Sequence, residues 1–501
     1  MFASITYASP SAFNSTRERA DLSLAATANR PVRFRGKVIR HGFTLRIALR
    51  ALGAAIWSED AWDSESEYAL RVLDPVITVH PDRLWFEAFS QDMSAYCALI
   101  VEPEVFETEG ERSFGTTNID FTAWLWGALG EMRTSRTTWF GVGAEGLDVK
   151  TEGAGGRFEQ KVEIPDAWVR GFLQVQGAMV LPGTRLTVRP VDLLSAIRFL
   201  HFNKAKISPR ALRYEFEPEQ PARLVIEPWD HVIPLQGAAH GYPEKRVIRT
   251  WGRRRLRLIE PLLPFAERVD IYLKGRAMPS FYAVKLPGMT FLLGLSGFAA
   301  SGGGFGGSSG FDLNTPDIPA AGTDPILKVL APAYHLSTQE VAERAGLPLE
   351  QAAKGLTALG YAGRAMYDVE ARRWRHRELF TPPVDVTKLY PPDARREEAR
   401  GLVAGGVRNL TVIQEEDRKS RRYVDPNTGE KLQRELVFRQ WRIEADCADQ
   451  HPSIVVNTEE RIIFGQCGCA FFKDNLLNRG PCPHMLALFE LSATARTGAS
   501  A

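Results

Sequence analysis

Near the C-terminus, in the stretch GQCGCAFFKDNLLNRGPCPHMLALFEL, Cys467, Cys469, Cys482 and His484 spell C-x-C-x12-C-x-H. Three thiols and an imidazole are the donor set of a closed, four-coordinate zinc site, with Zn–S about 2.3 Å and Zn–N about 2.0 Å. Side chains two apart point to the same side of an extended segment, so Cys467 and Cys469 can reach one ion from a strand or its turn. Residues two apart do not share a helical face, so Cys482 and His484 must straddle a loop-to-helix junction, where Pro483 suits the first helical position. No acid is placed as the base of an H-E-x-x-H metalloprotease would be, which makes the ion a structural staple. The excess charge of three thiolates on a divalent ion predicts Lys473 or Arg479 close by. A disulfide framework fits less well: the five cysteines are an odd number, the N-terminal segment lacks the apolar core of a signal peptide, and Cys97 and Cys447 stand apart as expected free buried thiols.

Positioning such a site requires strands leading in and a helix leading out. VFRQWRIEADC and PSIVVNTEERIIFGQCGC supply long strands, RRYVDPNTGEKLQREL turns at Asn427-Thr428-Gly429, and Met485, Leu486 and Phe489 give the last helix an apolar side. Upstream, residues 30–315 mix strand and helix without an alternating βα rhythm, which implies an α+β body with largely antiparallel sheet. RALRYEFEP and ARLVIEPWDHVIPL read as a hairpin, and FYAVKLPGMTFLLGLSG as strands folding at Leu286-Pro287-Gly288. FTAWLWGALGEM, IPDAWVRGFLQVQGAM, PVDLLSAIRFLHF and GRRRLRLIEPLL read as helices, the last with Arg253, Arg254, Arg255 and Arg257 on a wet face. The run AASGGGFGGSSG reads as a linker. Beyond it, Asp324-Pro325 starts a helix, Ser337 and Glu340 form a capping box, and Pro348 opens LEQAAKGLTALGYAG. AMYDVEARRWRHRELF then alternates as a hairpin. Three helices followed by a hairpin form the arrangement of a winged helix-turn-helix.

The expected organisation is therefore α+β and multidomain: an N-terminal, largely antiparallel body over 1–298, a Gly/Ser-rich linker over 299–320, a winged helix over 321–380, a connecting segment with a hairpin over 381–440, a zinc module over 441–492 and a disordered tail over 493–501.

On its four ligand positions the C-terminal module resembles the SWIM zinc finger, whose pattern is C-x-C, a variable spacer, then C-x-H on a ββα frame. TNIDF, WGRRRL, MPSFYAV and LGLSGF resemble blocks of the larger bacterial SWIM-containing proteins, although a glycine-rich run follows LGLSGF where a Trp-containing segment is expected. The resemblance implies a non-catalytic zinc-binding protein that accompanies a MoxR-type AAA ATPase or a VWA-domain protein as adaptor or scaffold. The alternative is nucleic-acid binding, with Gln351, Lys354 and Thr357 of a recognition helix in a groove and Arg372, Arg373 and Arg375 of the wing on phosphate.

Composition sets the outer bounds. A chain of 501 residues, 44% hydrophobic and 24% charged, suits an ordinary globular protein of two to four domains. No run approaches the length needed to cross a bilayer, so a cytoplasmic location without membrane partners is expected. The net charge of +2 gives little long-range pull on nucleic acid. Gly141, Gly143 and Gly146 match G-x-G-x-x-G, but the following LDVKTEGAGG cannot open the helix a dinucleotide site needs. No G-x-S-x-G, Walker A or kinase set occurs, which leaves an enzyme reading without a foothold.

Overall fold

The structure is a computed structural model that describes residues 3–7, 10–27, 32–57, 74–90, 92–143, 160–164, 166–205, 210–275, 278–297, 323–380, 394–424, 428–458, 462–477 and 480–498. The expected linker over 299–320 lies outside them. The chain forms two compact units, one of Met1–Lys204, Pro209–Ser308 and Leu313–Val386, the other of Ala205–Ser208, Ser309–Asp312 and Thr387–Ala501.

The first unit is built on an eight-stranded antiparallel sheet, in the order Thr184–Val188, Arg268–Leu273, Ser280–Leu286, Met289–Leu295, Ala95–Val101, Leu84–Phe89, Val76–Val79 and Gly115–Asn118. The expected fold at Leu286-Pro287-Gly288 is a tight turn pairing Leu286 with Met289, with Gly288 at φ 68°, a left-handed conformation that favours glycine. The central strands are apolar almost throughout and buried on both faces. Helix α1 (Gly42–Trp57) shares a core with Leu84, Phe86, Cys97 and Leu99 through Leu45, Leu49, Leu52 and Ile56. Next come α2 (Ala123–Ala128), α3 (Asp166–Val180) and α4 (Pro190–Phe202). By strand alternation Trp85, Glu87, Phe89 and Tyr96 belong to the opposite face, where Phe172 of α3 meets Phe89 with ring centroids 4.9 Å apart.

Smaller sheets complete the body, among them an antiparallel pair of Ala3–Tyr7 with Gln160–Ile164. Leu212–Phe216, Arg223–Ile226 and His231–Pro234 pair antiparallel as the sequence suggests, with Arg246–Thr250 alongside. A five-stranded sheet departs from the antiparallel rule once: Thr137–Gly143 runs parallel to Arg19–Ala25. The stretch read as an amphipathic helix around Arg253–Arg257 is two 3-10 segments, Arg253–Leu258 and Glu260–Phe265, divided before Pro261. Arg253 is buried there, donating to the carbonyls of Glu227 and Ala211.

Helices α5 (Asp324–Ala333), α6 (Thr338–Ala345) and α7 (Leu349–Tyr361) follow, with a three-stranded sheet in the order His335–Leu336, Arg373–His376, Ala365–Asp368. The expected capping box is present: the Ser337 hydroxyl accepts from the Glu340 amide, and the Glu340 carboxylate accepts from the Ser337 amide at 2.7 Å. This group has its own small core around Leu330, Val341, Leu356 and Trp374. It nonetheless belongs to the first unit. Gly177 of α3 lies so close to Tyr361 that a Cβ there would collide with the phenol oxygen, and the Tyr367 amide donates to Gln176 at 2.8 Å.

In the second unit, Val407–Val424 and Lys431–Cys447 form a long antiparallel hairpin, continued by Ser453–Asn457 and Ile462–Gln466. Only Gln440–Glu444 pairs with the third strand, so the far half of the hairpin is a two-stranded ribbon. One face of the sheet carries α8 (Ala394–Gly405) and, beyond α9 (Ala470–Asn475), α10 (Pro483–Leu491). Trp441, Ile443, Ile454, Ala399, Met485 and Leu488 form the shared core. A module of 441–492 alone could not bury that surface, which is why α8 and the hairpin join it. The tail expected to be disordered continues as α11 (Ala493–Gly498), with Arg496 buried. Among the described residues no helix is long and apolar enough to cross a membrane.

Candidate metal centre

The strand Ile462–Gln466 ends directly before Cys467, and the chain turns through Gly468 into α9, whose N-cap is Cys469. A second turn passes Gly480, at φ 85°, and delivers Cys482 as the N-cap of α10, with Pro483 at its first position and His484 next. The loop-to-helix junction demanded by the x-spacing is thus realised. Ligand atoms of Cys467, Cys469, Cys482 and His484 all lie within 4.8 Å of one another. A regular tetrahedron with sulfur at about 2.3 Å has S···S edges of about 3.8 Å, so the four can close on one ion with small adjustments.

The surroundings fit a cation. Nδ1 of His484 is buried without a hydrogen-bond partner among the described residues, as suits a nitrogen that would bind a metal or a second-sphere acceptor. The Phe472 amide points at the Cys469 sulfur at 3.5 Å, the Cys469 amide at Cys467, and the Met485 amide at Cys482. These amides disperse thiolate charge. Burial pushes the Cys467 and Cys482 thiols up, so without a cation both would keep their protons at neutral pH. Burial also lowers His484, against the opposing field of Glu398 on α8, which leaves a neutral imidazole suited to ligation.

Lys473, one of the two cations expected near the sulfurs, lines a cleft of about 710 Å³ together with Cys467 and Gly468. Arg479 lies outside the described residues. A cation the sequence did not single out is Arg395 of α8: it donates to the Pro481 carbonyl at 3.4 Å and lies 5.4 Å from the Phe471 ring centroid, clamping the loop that carries Cys482. Cys97 and Cys447 are free and buried, as expected. Cys447 is not isolated, because burial and the neighbouring Cys467 both raise it.

The six residues considered for nucleic acid are spread over α7 and the hairpin. Gln351 and Lys354 are exposed, but the Lys354 ammonium is bound to Glu350 at 2.6 Å, and the Thr357 hydroxyl is turned onto its own helix at the Ala353 carbonyl. Arg372 is exposed at the hairpin turn, and Arg373 pairs with Glu340 at 3.0 Å. Arg375 is 1% exposed. It pairs with Asp82 at 2.9 Å and Asp368 at 3.0 Å, leaving no surface to offer a phosphate. The next arginine, Arg377, binds both oxygens of Glu87 at 2.8 Å. The arginine-rich hairpin is therefore largely occupied in fastening residues 323–380 to the central sheet.

No family model matches the chain, and no curated protein is detectably similar in sequence. Among solved structures, the proliferating cellular nuclear antigen from Entamoeba histolytica aligns with 53% of this chain and 98% of that one, at 10% identity and a TM-score of 0.33, a likeness too low to carry any inference.

Proposed function

We propose that the chain is a non-enzymatic zinc-binding recognition protein, whose C-terminal unit holds a SWIM-type ββα finger and whose residues 323–380 form a winged helix. In this reading it is an adaptor or scaffold in a multiprotein assembly, with a MoxR-type AAA ATPase or a VWA-domain protein as partner. The observation that carries it is the gathering of four protein donors, which fills a tetrahedral zinc and leaves no position for a substrate or water. The ion would hold two turns and two helix starts together, organising a surface rather than performing a reaction. The adaptor is favoured over a DNA reader by the wing itself, where Arg375 and Arg377 are consumed internally and Arg373 is paired.

Co-expression with a MoxR-type ATPase and a VWA-domain protein tests the reading. A nuclease-resistant complex should form, and Cys467→Ser should weaken it. Nucleic-acid binding stays as the second reading because Arg422 and Lys431, facing the ribbon's tip, have no ion-pair partner among the described residues. Duplex binding at physiological salt would support it, especially if the slope of log affinity against log salt flattened by about 0.9 per arginine removed.

A further inference from the structure

A groove of about 1020 Å³ runs along α1 in the first unit. One face of the helix lines it, through Arg46, Ile47, Arg50, Ala51, Ala54 and Trp57. These positions recur at helical spacing and span about 16 Å at 1.5 Å per residue. Opposite stand Trp126, His201, Arg257 and Leu258. The small Ala51 and Ala54 leave a shallow apolar floor between the larger residues at the ends.

The charges are fixed in place. Arg46 donates to the carbonyls of Met132 at 3.2 Å and Gly130 at 3.5 Å, and its guanidinium lies 4.7 Å from the Phe43 ring centroid. Arg50 lies 5.9 Å from the Trp126 centroid, and that indole donates to the Arg50 carbonyl at 3.0 Å. Trp126 is pressed against α1 at Gly53, where a Cβ would collide with the indole, so this wall cannot swing away without rebuilding the contact. Among the described residues neither Arg46 nor Arg50 has a carboxylate partner, and Glu260 is the one acid in the lining. The indole N–H of Trp57, at the groove's end, is buried without an acceptor among the described residues.

We propose that this groove binds an acidic peptide segment carrying an apolar anchor. Two guanidinium groups one helical turn apart meet carboxylates distributed along a chain, whereas a single phosphate group would call for converging donors. About five extended residues cover the length of the groove at about 3.3 Å each. An aliphatic or aromatic side chain would rest on Ala51 and Ala54, and a peptide carbonyl could accept from Trp57. Arginine and tryptophan beside an apolar floor match the composition of binding hot spots. The proposal deepens the adaptor reading by naming the partner's chemistry, and it rests on that reading only for its place in an assembly. The groove belongs to the first unit, so metal-site variants test that reading while groove variants test this one.

The experiment uses the full chain and a fluorescein-labelled peptide of about ten residues, in which aspartates and glutamates flank a central Leu and Trp. Anisotropy should show saturable binding that weakens as salt is raised, and an analogue with Asn and Gln for the acids should bind at least about tenfold more weakly. Arg46→Glu with Arg50→Glu should weaken the acidic peptide by at least about tenfold, and Ala54→Trp should do the same by filling the floor without changing charge. Arg46→Gln with Arg50→Gln, checked for an unchanged melting temperature, covers the case in which charge reversal unfolds the protein. No binding of the acidic peptide, equal binding of the neutral analogue, or unaltered affinity in the folded groove variants would overturn the proposal. So would displacement of the peptide by a short single-stranded oligonucleotide at lower concentration, which would make the groove a nucleic-acid surface.

Discussion

Replacing Arg377 with Met would leave the Glu87 carboxylate 1% exposed at the centre of the first unit, with the Tyr96 hydroxyl at 2.7 Å as its remaining partner among the described residues. In the native chain one guanidinium nitrogen, Nη1, bonds both carboxylate oxygens at 2.8 Å, while Nε and Nη2 are buried without partners among the described residues. This is a buried pair of which only one side is well satisfied. Removing one member of such a pair typically costs about 3–5 kcal/mol, because the survivor stays desolvated, whereas replacing both with apolar groups of similar volume is often neutral. Arg377→Met should therefore destabilise the first unit by about 3–5 kcal/mol, and Glu87→Leu by a similar amount. The double variant should return to within about 1 kcal/mol of the native protein, a coupling of several kcal/mol in a double-mutant cycle. At about 2 °C per kcal/mol for a unit of this size, each single change should lower the melting temperature by about 6–10 °C. Denaturant unfolding followed by tryptophan fluorescence measures the cycle. Single variants within about 1 kcal/mol of native, with no coupling, would refute the claim that residues 323–380 are fastened to the central sheet through this pair.

Two further outcomes follow from the same packing and from the division into units. His80 accepts from Arg375 at Nδ1 and donates from Nε2 to the His376 carbonyl at 2.8 Å, and burial lowers it to about 4. The unfolded chain takes up this proton near pH 6.5 while the folded one resists until about pH 4, so stability should fall as pH drops through that window, by up to about 3 kcal/mol. His80→Gln should flatten that slope, and an unchanged pH profile would contradict the assignment. Chelating zinc should expose 394–498 to limited proteolysis while the first unit stays resistant, because the two have separate cores. Early cuts between Asp166 and Leu295 would show that they do not unfold separately.

The metal site was legible because its geometry is local: i, i+2 spacing on a strand end, and a proline starting a helix, fix which ligands can converge before any tertiary structure is known. Ser337 with Glu340 was legible for the same reason. The arginine hairpin was not. Alternation alone places Trp374 and Arg375 on opposite faces, and opposite faces suggest one wet side; both are buried because the group is covered from two directions. The carboxylates that decide this, Asp82 and Glu87, lie 293 and 290 residues away in sequence. Helix α1 was also missed. Arg46 and Arg50 fall among its apolar positions Leu45, Leu49, Leu52 and Ile56, which hold the helical period. That oversight hid the groove. The run Arg253–Arg257 shows the converse error, since a helix-like spacing of leucines was realised as 3-10 turns around Pro261.

The central claim is that Cys467, Cys469, Cys482 and His484 close on a single ion. Metal analysis of the purified full chain by mass spectrometry, alongside Cys467→Ser and His484→Ala, tests it most directly. The expected result is about one zinc per native chain and a large loss in each variant, with the first unit still folded by near-ultraviolet circular dichroism. Native protein without zinc, or full occupancy in both variants, would contradict it.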